Sequence, residues 1–155
     1  MKTTSNTKMP FEATQETATG ATQSLQQQFA LLSQASQEKC FPSISERLQR
    51  LERLRLLLVE NEEALCEALS ADYGYRSAKQ SSFAEITTTL KSINFAKQNL
   101  KFWMQKEKRK ADLSLRLTGA SCFVEYVPKG VVGIVSPWNF PINLSFSPLV
   151  SALAA

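Results

Sequence analysis

The stretch GVVGIVSPWNFPINLSFSPLVSALAA, Gly130 to Ala155, decides how this chain is read. It opens on Val131 to Val135, a run that is apolar without alternation. Such a run predicts a strand buried on both faces, as inside a parallel sheet covered by helices. A loop follows, Ser136 to Pro141, stiffened by Pro137 and Pro141 because the pyrrolidine ring fixes φ. An apolar helical pattern then runs to the end. Strand, loop and helix in that order are half of a βαβ unit, and ligands of such sheets bind beyond the carboxyl ends of the strands. Asn139 sits at that place, between Trp138 and Phe140. Its amide either bonds its own backbone as a turn-former or is a fixed donor for a ligand.

Working back from the loop, LSLRLTGASCFVEYVP alternates Leu113, Leu115 and Leu117 against Ser114, Arg116 and Thr118. Alternation predicts a half-buried strand, with Gly119 and Ala120 turning it into a returning strand from Ser121 to Val127. Before it, a long helix is expected from about Ser77 to Lys108, with Phe83, Ile86, Leu90, Ile93, Leu100 and Trp103 as its apolar stripe. An earlier helix opens at Pro42. Ser43 and Glu46 make a capping box there, each side chain satisfying a backbone N–H of the other. Its stripe is Ile44, Leu48, Leu51, Leu54, Leu58, Leu65 and Leu69, and Gly74 is its left-handed stop. The two helices should pack as an antiparallel pair. A weaker helix is expected from Ala21 to Glu38, and residues 1–20, rich in Thr, Gln, Ser and Glu, read as a disordered tail.

The chain has 155 residues, 43% of them hydrophobic and 21% charged, in the range of one ordinary globular domain. The net charge of +4 is modest, and much of it sits in KEKRK, Lys106 to Lys110. Without interleaved aromatic platforms, that run reads as a solvated helix end rather than a nucleic-acid surface. Cys40, Cys66 and Cys122 are too few and too scattered for a metal site, and their odd number fits reduced, cytoplasmic thiols. Cys66 lies beside an apolar stripe and reads as core, while Cys122 on its strand reads as structural. There is no histidine, which excludes any Ser-His or Cys-His pair within the chain. No apolar stretch is long enough to span a membrane.

The pattern P-x-G-V-V-G-x-x-x-P-W-N-F-P from Pro128 to Pro141, with the following helix running into A-L-A-A, resembles the entry to the dinucleotide-binding domain of aldehyde dehydrogenases. ALSADYGYRS, residues 68–77, resembles the class-3-like branch, and together with SPWNFPI it is most similar to coniferyl-aldehyde dehydrogenases. The resemblance covers Pro42 to Ala155. It implies an incomplete α/β fold: a helical region over 21–112, a β-hairpin oligomerisation arm over 113–127, and the first βα unit of a Rossmann-like parallel sheet over 128–155. It also implies a NAD- or NADP-dependent oxidation of an aldehyde, coniferyl or a related aromatic one, to the acid. In that chemistry a cysteine thiolate adds to the carbonyl, and an asparagine amide with a backbone N–H holds the oxyanion. Asn139 matches the asparagine; Val135, Ser136, Pro137 and Trp138 match residues along the cofactor groove. A homodimer or homotetramer is implied.

The family's nucleophilic cysteine, general-base glutamate and glycine motif lie C-terminal to the matching segment, so the chain is expected to be an N-terminal piece, inactive alone. The rival expectation is a truncated, non-catalytic relative acting as an interaction module. A reading frame that continues past Ala155 with Gly-Asn and a lysine-bearing strand favours the first; a stop codon favours the second.

Overall fold

The computed structural model describes residues 12–155, with side chains from Ser24 onward. The chain divides after Cys40 into two units. The first contains α1, Glu12–Glu38. This helix starts earlier than Ala21, so residues 12–20 of the expected tail are helical; residues 1–11 lie outside the described residues. Ala, Gln and Glu are good helix formers even where no apolar stripe is present. Leu25, Phe29 and Leu32 are all exposed on it.

The second unit, Phe41–Ala155, begins with α2, Ile44–Glu60, and α3, Glu62–Tyr73. The capping box forms as the sequence predicts: Ser43 N–H donates to Glu46 Oε2 at 2.9 Å, and Glu46 N–H to Ser43 Oγ at 3.3 Å. The single expected helix is broken at Asn61, whose side-chain amide and backbone N–H both donate to the Leu57 carbonyl, ending α2 there. Asn competes for backbone groups in this way and so favours helix ends. Gly74 closes α3 in the left-handed region at φ 75°, where a side chain would be strained.

The second expected helix is also composite. A short α4, Ala78–Ser81, runs into a π-helical turn, Ser82–Thr87, and then α5, Thr88–Trp103. A π turn inserts an extra residue and so shifts the phase of the stripe. Ile86, Ile93 and Leu100 are buried as expected, but Phe83 is 67% exposed and Trp103 lies at the rim. Ser81, Glu85 and Thr89 take the inward positions instead, all at 0% exposure. Thr89 Oγ1 is satisfied locally, donating to the Glu85 carbonyl at 2.6 Å.

Lys106–Lys110 is not a helix end. Glu107–Arg109 forms β1, paired antiparallel with β2, Cys122–Val124, in the register Glu107↔Val124, Lys108↔Phe123, Arg109↔Cys122. The hairpin therefore exists, but its first strand lies N-terminal to the expected one. Leu113–Leu117 is a helical turn, α6. Asp112 caps it by accepting from the Leu113 N–H at 2.8 Å, and Gly119 ends it at φ 83°. A cap and a glycine stop bracketing five residues outweigh alternation when no strand lies opposite. Cys122 is exposed on β2 rather than buried.

Val131–Val135 forms no strand, and Val135 is fully exposed at 100%. Extended apolar backbone becomes a strand only when a neighbour completes its hydrogen bonds, and none of the described residues pairs with it. The described residues are thus mostly helical with one two-stranded sheet. The last element is α7, Pro141–Ala154, with Pro141 in the first turn, where its missing N–H costs nothing. It packs on α2 and α5, and Ile142, Val150 and Ala154 join Leu51, Leu54, Leu58, Ile93 and Leu100 in one core. Glu52 links α2 to α5: Arg55 and Lys97 both bond its carboxylate and hold its pKa down to about 2. No helix among the described residues is long and apolar enough to cross a membrane.

The phase shift is measurable. Ile93→Ala, which empties a fully buried site, should lower the denaturant stability of this chain by about 2–5 kcal/mol. Phe83→Ala should change it by less than about 0.5 kcal/mol; equal losses would restore the unshifted stripe. The cysteines separate in the same way. Burial first, then Glu62 and Glu85, push the Cys66 thiol up, whereas Cys40 and Cys122 are exposed. Iodoacetamide at neutral pH should alkylate Cys40 and Cys122 and spare Cys66 in the folded chain, read by peptide mass spectrometry.

Candidate functional site

The turn after α3 and the loop before α7 meet here, although they lie far apart in sequence. Tyr73 Oη donates to the Trp138 carbonyl. Arg76 Nη1 donates to the Asn139 carbonyl at 3.2 Å, a contact spanning 63 residues. The Arg76 guanidinium also lies over two rings, 4.9 Å from the centre of Tyr73 and 4.8 Å from that of Phe140. Cation over ring is attractive because the π face is negative. Three consecutive loop residues, 138 to 140, are therefore held by the tyrosine and arginine of ADYGYR.

Beneath them lies Glu85, carried inward by the π turn and fully buried. Its Oε2 accepts from the Ile142 N–H at 2.7 Å and the Asn143 N–H at 3.3 Å. These are first-turn amides of α7, which have no partner inside their own helix. Its Oε1 faces Arg76 Nη1 at 2.9 Å. That contact is electrostatic rather than an aligned hydrogen bond, since Glu85 Oε1 and Arg76 Nε find no hydrogen-bond partner among the described residues. The carboxylate thus meets the positive end of the α7 dipole on one side and a guanidinium on the other. Removing either partner of such a buried pair typically costs about 3–5 kcal/mol. Asn143 adds a tie from its own amide to the Ala84 carbonyl at 3.4 Å.

Arg47 holds the other end of α7. It is buried on α2, donates through Nε to the Pro42 carbonyl at 3.1 Å, and through Nη1 to the Ala154 carbonyl at 2.8 Å and to that of Ala155. Burial, then the nearby Arg50, pull its pKa down from the ordinary guanidinium value. A cation at the carbonyl end and an anion at the amide end both suit the helix dipole.

The residues singled out from sequence divide by exposure. Ser136 is half-buried and its hydroxyl pairs with that of Ser145 at 2.6 Å. Val135, Pro137, Trp138 and Asn139 are exposed, Trp138 at 85%. The backbone carbonyl of Asn139 is engaged, but its side-chain amide bonds nothing among the described residues, its own backbone included. Tyr73, Arg76 and Glu85 were not singled out for chemistry. The signals that could have found them were a glutamate on the inward side of an apolar stripe and an arginine two residues after a helix-stopping glycine. The described residues contain no cluster of metal-binding side chains. An open concavity of about 480 Å³ is lined by the hairpin cations Lys106, Lys108, Arg109, Lys110 and Arg116, not by the loop.

The profile of the aldehyde dehydrogenase family matches residues 4–155, extending well N-terminal of Pro42. A coniferyl aldehyde dehydrogenase of Pseudomonas sp. is 43% identical over 109 residues, which cover 70% of this chain and 22% of that protein. Aldehyde dehydrogenase family 3 member B1 of Bos taurus is 43% identical over 106 residues, 68% of this chain and 22% of that one. Among solved structures, the substrate-bound state of Staphylococcus aureus AldH superposes with a TM-score of 0.77 at 29% identity, over 84% of this chain and 28% of the other. The chain spans less than a quarter of the length of these two curated relatives. With a family-wide sequence match and the same helical arrangement in a solved relative, the chain belongs to the aldehyde dehydrogenase family.

Proposed function

We propose that this chain is the N-terminal part of an aldehyde dehydrogenase and that it supplies the side-chain oxyanion donor, Asn139. The observation that supports this reading is the division of labour in the loop. The carbonyls of Trp138 and Asn139 are held by Tyr73 and Arg76, while the Asn139 amide is left unengaged among the described residues. A turn-former would have used that amide on its own backbone. When a thiolate adds to an aldehyde, the carbonyl oxygen gains a full negative charge. A neutral N–H donor already fixed in place stabilises that charge with little reorganisation.

NAD or NADP, when bound, accepts the hydride that leaves the substrate carbon. The residues from Val135 to Trp138 suit one side of such a site. Among the described residues no backbone hydrogen bond engages 131–137, so amides and carbonyls there are available to a ligand. The indole of Trp138 is exposed beside them. Coniferyl or a related aromatic aldehyde is the substrate in this reading, carried by the similarity to coniferyl aldehyde dehydrogenases. A cytoplasmic location goes with it, in keeping with three free cysteines. The hairpin and α6 serve as the arm of a homodimer or homotetramer; Leu113, Leu115, Leu117 and Phe123 are all exposed there.

The amide meets full charge only after addition, so its contribution falls on the transition state. In the full-length enzyme, Asn139→Ala should lower kcat on an aromatic aldehyde by on the order of 10²–10³, about 3–4 kcal/mol. Asn139→Asp should be at least as damaging. Trp138→Ala should mainly raise the KM for NAD(P). Near-normal turnover in a well-folded Asn139→Ala enzyme returns the residue to a structural role. For the arm, Leu117→Asp should reduce the mass by light scattering without lowering the thermal midpoint, because Leu117 is 82% exposed. An unchanged oligomer places the interface elsewhere.

A further inference from the structure

We propose that Glu85 is a positioning residue for the Asn139 amide, acting through Arg76 and the first turn of α7; this rests on the reading of Asn139 as the oxyanion donor. Two routes lead from one buried carboxylate, one to the residues that follow Asn139 and one to its own carbonyl. On the C-terminal side, Glu85 Oε2 fixes the Ile142 and Asn143 amides and so sets where α7 begins. On the other, Glu85 Oε1 holds Arg76 Nη1, and the same nitrogen donates to the Asn139 carbonyl. The Phe140 ring under the guanidinium closes the gap between the two routes.

The side chain of Asn139 is exposed, and its amide makes no hydrogen bond among the described residues. Its direction is therefore set by the backbone at residues 139 to 141 alone, and that backbone is held by Arg76 and by the start of α7. A shift there moves the amide as a lever. Misplacement of a reacting or stabilising group by about 1 Å can cost on the order of 10²-fold in rate.

The fold spends a good deal on this arrangement. A carboxylate at 0% exposure and an arginine at 7% are buried together, and Ser81 Oγ, Arg76 Nε and Glu85 Oε1 find no aligned hydrogen bond among the described residues. An apolar pair of similar volume is often as stable as a buried ion pair. An apolar pair could not, however, bond two amides and a carbonyl in fixed directions.

The test is a double-mutant cycle in the full-length enzyme. Glu85→Gln keeps the volume and one carbonyl acceptor for the α7 amides but removes the charge that faces Arg76. It should lower kcat by on the order of 10-fold to 10²-fold while the KM values for aldehyde and NAD(P) move less than about threefold. In the Asn139→Ala background the same change should lower kcat by less than about twofold, because the group it positions is gone. A multiplicative loss in that background, or a normal kcat for Glu85→Gln, overturns the positioning role while leaving Asn139 as donor. Normal turnover in Asn139→Ala overturns both. If Glu85→Gln does not fold by thermal melt, Arg76→Lys is put through the same cycle. Lysine keeps the charge but loses the fork and the ring stacking, and the same non-additivity with Asn139→Ala is expected.

Discussion

The structure of the second unit turns on a carboxylate meeting a helix end. Glu85 is fully buried, so its two oxygens must find their partners within the protein. One takes the first amides of α7 and the other faces Arg76. Every other feature of the site follows from that choice. Because Arg76 must reach Glu85, the chain has to leave α3 sharply, and Gly74 in the left-handed region provides the bend. Because Glu85 must point inward where an apolar residue would be expected, the helix has to slip phase, and the π turn at Ser82–Thr87 provides the slip. The guanidinium also lies over the rings of Tyr73 and Phe140.

The two ends of α7 explain why that helix can sit in the core with so little polar surface of its own. Its N-terminal amides are answered by Glu85 and carbonyls at its other end by Arg47. Neither partner lies on α7, so the caps also fix where the helix sits against α2 and the π turn. Apolar contacts alone, through Ile142, Val150 and Ala154, would allow sliding along the helix axis. The charged contacts do not, because hydrogen bonds are directional over a few tenths of an ångström.

The local signals in the sequence were legible and the non-local ones were not. The Ser43–Glu46 box, the Gly74 stop and the stripe of Leu51, Leu54 and Leu58 depend on neighbours within a turn or two, and each is found as the pattern predicts; Pro141, read as the end of the loop, instead opens α7. The alternation at Leu113–Leu117 is legible too, but it is outweighed by the Asp112 cap and by Gly119, which ends a helical turn instead of joining two strands. Val131–Val135 reads as a strand only if a neighbour pairs it, a condition that no five-residue pattern contains. At the loop, the two prolines and the flanking aromatics marked Asn139 as unusual. Glu85 stayed hidden because a periodicity argument counts apolar residues and passes over a polar one on the same face. Its partners lie 57 residues away at Ile142 and in the turn between α3 and α4 at Arg76.

The same contacts bear on why an asparagine would stand in this loop at all. A short polar side chain beside a proline-rich turn usually spends its hydrogen-bonding capacity on the nearby backbone. Here the carbonyls that such a side chain might otherwise stabilise are already claimed, by Tyr73 at Trp138 and by Arg76 at Asn139. The loop therefore does not need the Asn139 amide to hold its shape. That separates two jobs that a single residue would otherwise combine: buried groups from the helical unit fix the backbone, and the amide projects from it. A donor that is not part of its own scaffold can be removed without collapsing the scaffold. The proposed role of Asn139 is therefore open to a clean kinetic reading, and the more damaging folding defects should fall on Arg76 and Glu85 instead.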